Sequence, residues 1–102
     1  MTKDIQSIIK RVLANIELEK VILFGSRARG DFIEESDYDI LIIVKDRLNI
    51  KEKMRLTKQL RQKFAKEGID ADIIIKSKDE IEYYRDKIGS VIKSALEEGV
   101  AI

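Results

Sequence analysis

Residues 38–44 read Tyr-Asp-Ile-Leu-Ile-Ile-Val. Beyond Asp39 this run is apolar on both of its alternating faces. A strand of that kind needs helices against at least one face of its sheet, which demands a layered α/β domain. Two further runs share the property: Val-Ile-Leu-Phe at 21–24, ended by Gly25, and the stretch 69–75, which ends in three isoleucines. Helical spacing fills the gaps. Ile5, Ile8, Ile9, Val12, Leu13 and Ile16 predict an amphipathic helix over 4–17. Ile50, Met54, Leu60 and Phe64 predict a long one over 50–67, closed by Gly68. Ser77 and Glu80 have the spacing of a capping box and open another helix. Val91, Ile92, Ala95 and Leu96 belong to a last helix that stops near Gly99. The predicted order is α-β-loop-β-α-β-α-α, a two-layer α/β domain spanning residues 1–102.

Composition narrows the chemistry. The 102 residues contain no cysteine and no histidine. Disulfides, thiolate metal sites and the commonest general base are therefore excluded. Any metal must sit on oxygen ligands, which favours Mg²⁺, Mn²⁺ or Ca²⁺. Charged residues make up 38% of the chain, yet they cancel to +1. Long nucleic acid is thus not expected to bind by electrostatics alone, since that needs a markedly basic surface. No apolar run reaches the ~20 residues of a membrane span and no secretory signal opens the chain, so a cytoplasmic location is expected.

Residues 24–39, Phe-Gly-Ser-Arg-Ala-Arg-Gly-Asp-Phe-Ile-Glu-Glu-Ser-Asp-Tyr-Asp, hold more chemistry than a surface loop requires. Asp37 and Asp39 stand two apart on a strand, so their carboxylates share a face with Cα atoms ~6.5 Å apart. A polar turn leading into a strand gives the same two acids, and alone the pair decides nothing. The Gly-Ser step upstream does. Gly25 ends a strand where a missing Cβ lets the backbone turn sharply and approach a ligand. Ser26 offers a hydroxyl and an amide at the first turn of a short helix, which suits an anion. Arg27 and Arg29 add charge for phosphate oxygens, and Gly30 permits the exit.

This is not a Walker A loop. Residues 25–30 match its Gly-x-x-x-x-Gly part, but Asp31 and Phe32 stand where Lys and Ser/Thr are required. The Arg-Gly-Asp triplet at 29–31 is an adhesion motif without a role in a cytoplasmic chain. A third carboxylate falls within reach if strand two crosses over the long helix to a parallel strand three. Asp72 then lies beside Asp39, and Asp70 on the same face is the alternate.

Together these residues resemble the signature of the minimal nucleotidyltransferases in the DNA polymerase β-like superfamily, and the resemblance covers essentially the whole chain. It implies a small mixed β-sheet flanked by helices and transfer of a nucleoside monophosphate from ATP or another triphosphate. Asp37 and Asp39 match the paired metal ligands and Asp72 the third carboxylate. Gly25 and Ser26 match the triphosphate-binding turn and Arg29 the phosphate-contacting arginine, with Arg27 beside it. Two Mg²⁺ ions, or Mn²⁺, roughly 3.5–4 Å apart would clamp the attacking hydroxyl and the leaving pyrophosphate. Asp72 would help accept the proton, and Ser26 and Arg29 would offset charge on the outer phosphates.

The chain spends nearly all its length on the nucleotide site, so the acceptor is expected from another molecule. Members of this minimal family are commonly paired with a small helical HEPN ribonuclease as toxin and antitoxin. The resemblance therefore implies AMP transfer onto a tyrosine hydroxyl of a HEPN partner. A binding-only antitoxin that masks its partner and a small-molecule nucleotidyltransferase are the alternatives. Intact carboxylates weigh against the first. The absent acceptor domain weighs against the second unless a dimer supplies the pocket. The basic side of the long helix, which includes Lys51, Lys53, Lys58, Arg61 and Lys63, reads as a solvated face, with partner docking as the other reading.

Overall fold

A computed structural model describes residues 5–31, 33 and 36–102. Asp4, where the first helix was expected to start, and Phe32 lie outside them. The elements run α1 (Ile5–Val12), β1 (Leu18–Phe24), α2 (Ser26–Arg29), β2 (Tyr38–Val44), α3 (Ile50–Lys66), β3 (Ala71–Ser77), α4 (Lys78–Tyr84), α5 (Val91–Glu98) and β4 (Val100–Ala101). Four strands form one mixed sheet in the order β3-β2-β1-β4. β1 pairs antiparallel with β2 and β4, and β2 pairs parallel with β3 through the α3 crossover. The α/β sheet flanked by helices is as the sequence predicts.

The alternation of the strands sorts the core into two faces. Ile40, Ile42, Ile73 and Ile75 turn toward Ile8 and Ile9 of α1 and Leu60 and Phe64 of α3. Ile22, Phe24, Leu41 and Ile43 turn the other way, toward Ile81 of α4 and Ile92 and Ala95 of α5. Burying side chains of this size contributes ~1.5–3 kcal/mol each. β1 and β2 are covered on both faces, and in β2 Ile40, Leu41 and Ile42 have no exposed surface.

Three boundaries differ from the predicted ones. α1 ends at Val12 rather than 17, although Leu13 stays buried in the turn that follows. Hydrophobic spacing continues past the helix because those side chains still face the core. β1 begins at Leu18 instead of 21, its first residues carrying the polar side chains of an exposed strand end. β3 runs 71–77 instead of 69–75, because Ile69 is buried in the connection and Lys76 and Ser77 complete the pairing with Ile43 and Val44. β4 was not foreseen. Gly99 makes it possible: a Cβ there would collide with Ile22 and with the Ala95 carbonyl oxygen. The chain can therefore press β4 against β1, pairing Ile22 with Ala101.

Candidate active site

The N-terminal ends of the parallel strands β2 and β3 meet at one edge of the sheet. Asp39 pairs directly with Asp72 across the two strands. One step outward the Tyr38 amide donates to the Asp70 carbonyl at 2.9 Å, which extends the ladder to Asp70 and Asp37. Asp39 lies on the same sheet face as Leu41, and Asp72 on that of Ile74, so both carboxylates belong to the α4/α5 side.

Asp39 is half-buried, and its carboxyl is pushed above the usual carboxylate range. Burial is the first cause, followed by the charges of Asp72 and Asp37, while Arg29 pulls weakly the other way. Asp39 thus registers both other acids electrostatically, and Asp70 is not among its influences. Among the described residues no three acidic side chains are gathered into a finished ligand cage. The fit to a divalent cation is one of chemistry. Hard carboxylate oxygens stand on adjacent strand positions, and their mutual repulsion is the kind a bound cation relieves.

The residues expected to face phosphate come from the turn after β1. Phe24 pairs with Asp39, so the next residue, Gly25, lies over that carboxylate. Gly25 has φ 73°, and a Cβ there would run into the Asp39 carboxylate. Both facts demand glycine. α2 starts at Ser26, and the Ala28 and Arg29 amides close onto the Gly25 carbonyl at 3.1 and 3.0 Å. Gly30 ends it in the left-handed region.

The two arginines part company. Arg27 donates from Nε and Nη2 to the Ser36 carbonyl at 3.1 and 3.0 Å, and its guanidinium lies 4.4 Å from the Tyr38 ring centre. It ties the loop back onto the start of β2. Arg29 is exposed, reaching Glu98 of α5 at 3.2 Å and Asp31 at 3.4 Å. Its influence on Asp39 places it on the carboxylate side.

A groove of about 330 Å³ adjoins the acids, with Asp37 and Asp70 on one wall and Arg61, Gln62 and Ala65 of α3 on the other. Sequence reasoning did not bring Arg61 and Gln62 to this site. Only the antiparallel return of α3 against β3 carries its C-terminal turns there, a contact between residues far apart in the chain.

The family profile for Polymerase beta, Nucleotidyltransferase matches residues 4–98. The chain belongs to that nucleotidyltransferase family. Among curated proteins it is 52% identical over 56 residues to MJ0141 of Methanocaldococcus jannaschii, provisionally named a protein adenylyltransferase, covering 55% of this chain and 52% of that one. It is 69% identical over 26 residues to MJ0604 of the same organism, which carries the same provisional name; the match covers 26% of each. The chain thus matches about half the length of the first relative and a quarter of the second. A crystal structure of a provisionally named nucleotidyltransferase from Sulfolobus solfataricus superposes with a TM-score of 0.61 at 25% identity, over 95% of this chain and 74% of that one. The MntA–HpeT toxin–antitoxin shares the fold at a TM-score of 0.61 and 22% identity, over 99% of this chain and 72% of that one.

Proposed function

We propose that the chain transfers AMP from ATP to a tyrosine hydroxyl of a HEPN-type partner protein and thereby acts as its antitoxin. The observation that carries this reading is the direct pairing of Asp39 with Asp72 beneath the Gly25-Ser26 turn. A binding-only protein has no use for repelling acids packed against a glycine. The provisional name of MJ0141 supports a protein as acceptor.

Asp37, Asp39 and Asp72 would hold Mg²⁺ or Mn²⁺, which when bound offsets the charge on the attacking and leaving oxygens. The rest of the work falls to the chain itself. Gly25 lets the backbone lie close to the phosphates, and the Ser26 hydroxyl and Arg29 guanidinium bind their outer oxygens. Arg29 must leave Glu98 and Asp31 to do so. Both pairs are solvent-exposed and screened by water, so the exchange is easy. The acceptor hydroxyl gives its proton to Asp72 as its oxygen bonds to the α-phosphorus, and the bond to pyrophosphate breaks. Arg27 keeps the loop and Tyr38 in place.

Intact mass spectrometry tests the reading on a HEPN protein incubated with the chain, ATP and Mg²⁺. Mass gains in steps of one adenylate are expected, and none with Asp39→Asn. A partner inactivated without added mass points to masking instead. Titration calorimetry with ATP checks the metal separately: equal heats with and without Mg²⁺ remove the metal from the reading.

A further inference from the structure

Three grooves follow one another along the exposed flank of α3. The first, of about 720 Å³, lies between the start of α3 and Tyr83 and Tyr84 of α4. The second, of about 450 Å³, shares Lys53 with the first. It shares Arg61 and Gln62 with the third, which ends at Asp37 and Asp70. The grooves therefore form one track along α3 that ends at Asp37 and Asp70. Its floor follows one side of α3: Ile50, Met54, Lys58 and Gln62 recur at four-residue steps, with Arg61 and Ala65 flanking them. At 1.5 Å per residue the floor is about 22 Å long.

The lining is unusual for a solvated face. Ile50 is 76% exposed, Met54 68% and Tyr83 64%. Isolated exposed apolar residues need no explanation, but these three lie on one continuous surface. The charge is one-sided. The middle groove has Lys53, Lys58 and Arg61 and no carboxylate. Arg47 and Lys51 add to the first groove, where Glu80 is already matched by Lys53 and Lys76. Acids return only at the reacting end.

We propose that this track docks the acceptor protein through an acidic segment bearing apolar side chains, laid along α3 so that its end reaches Asp37. The inference rests on the transfer reading above for the word acceptor, and on the track alone for the docking. The middle of the track has Met54 and no aromatic ring on which a base could stack, which favours protein over single-stranded nucleic acid.

The test is calorimetry of the HEPN protein against the chain in EDTA without nucleotide. The double variant Met54→Glu, Lys58→Glu is expected to bind at least about tenfold more weakly, because it sets acid against acid and removes an apolar anchor. Met54→Ala with Lys58→Ala should lose less. Lys63→Glu reverses a charge on the opposite flank of the same helix and should bind within about twofold of wild type. All these positions are exposed except in part Lys53, which stays untouched, and ATP binding with Mg²⁺ should be unaltered in every variant. Wild-type affinity in the double variant overturns the proposal, and so does a wild-type chain that binds no partner. Weakened binding of a 20-nucleotide oligouridylate with partner binding intact also overturns it, in favour of RNA. If the double variant loses the partner but the wild-type complex never gains adenylate, the transfer reading fails and the docking track stands.

Discussion

The two ends of β3 carry opposite solutions to one problem, a carboxylate at a strand end. At the C-terminal end Glu80 is enclosed by cations and donors. Lys53 reaches it at 2.8 and 2.9 Å, the Ser77 amide at 3.0 Å, and Lys76 stands 3.8 Å away. Burial works against its charge, but the Lys53 and Ser77 interactions outweigh burial and bring its pKa from 4.5 to about 2. At the N-terminal end Asp72 lies across from Asp39 of β2, which has neighbours of its own sign, and the Asp39 carboxyl is raised. One end spends its charges on holding α3, β3 and α4 together. The other keeps like charges side by side, as a site that awaits a cation does.

Breaking the comparison at the acidic end should give the largest effect. Asp39→Asn keeps the shape and removes the charge, so AMP transfer should fall on the order of 10³-fold, measured as initial rates. In EDTA the same variant should melt at or above the wild-type temperature, because the repulsion is gone. Mg²⁺ should then stabilise wild type much more than the variant. A variant that melts well below wild type in EDTA would mean that Asp39 is a structural acid.

Breaking the other end should cost stability and spare the chemistry. Glu80→Ala removes half of a capping box and leaves the largely buried Lys53 without its partner. A loss of about 2 kcal/mol is expected, roughly 10 °C in melting temperature for a domain this small. Transfer rates below the melting range should stay within about threefold of wild type.

Acid titration sharpens the contrast, because the two ends have opposite signs. Glu80 is depressed on folding, so its stabilisation is complete above pH 4.5 and fades as pH falls toward 2. Asp39 is raised on folding, so its ionisation costs stability and acidification relieves that cost. Melts in EDTA should show Glu80→Gln with a flatter acid limb than wild type. The advantage of Asp39→Asn should shrink as the pH drops. Parallel acid limbs in all three proteins would refute the assignment of opposite roles.

The smallest effect belongs to the bridge between the site and α5. Glu98→Gln loosens Arg29, whose pair with Glu98 is exposed on both sides. The melting temperature should stay close to that of wild type, and ATP should bind up to about threefold more tightly as the competitor is removed. Weaker ATP binding would show that Glu98 holds Arg29 in place for the phosphate.

The acidic end was largely legible in the sequence and the basic end was not, for a physical reason. Asp37, Asp39 and the Gly-Ser turn lie within one short stretch, and a parallel crossover brings the start of β3 beside that of β2, which put Asp72 next to Asp39 with Asp70 as the alternate. The capping box of Ser77 and Glu80 was also visible, being local. Lys53 is 27 positions from Glu80, and nothing in a helix pattern says which lysine of a basic face will turn inward. β4 was hidden for a similar reason. Two residues carry no periodicity, and the close approach that Gly99 permits shows only in three dimensions. The resemblance singled out Arg29 over Arg27, but that Arg27 turns back onto the Ser36 carbonyl and the Tyr38 ring shows only in three dimensions.

Gly25 has a consequence for how relatives of this chain can diverge. Its missing Cβ and the Asp39 carboxylate occupy the same space, so the two positions are coupled in any lineage that keeps this fold. A side chain at position 25 becomes tolerable only after position 39 has shrunk or moved. A copy that drifts toward mere binding should therefore lose the acid first and the glycine second. Reading the two positions jointly across a genome would sort working transferases from their inert descendants before any assay.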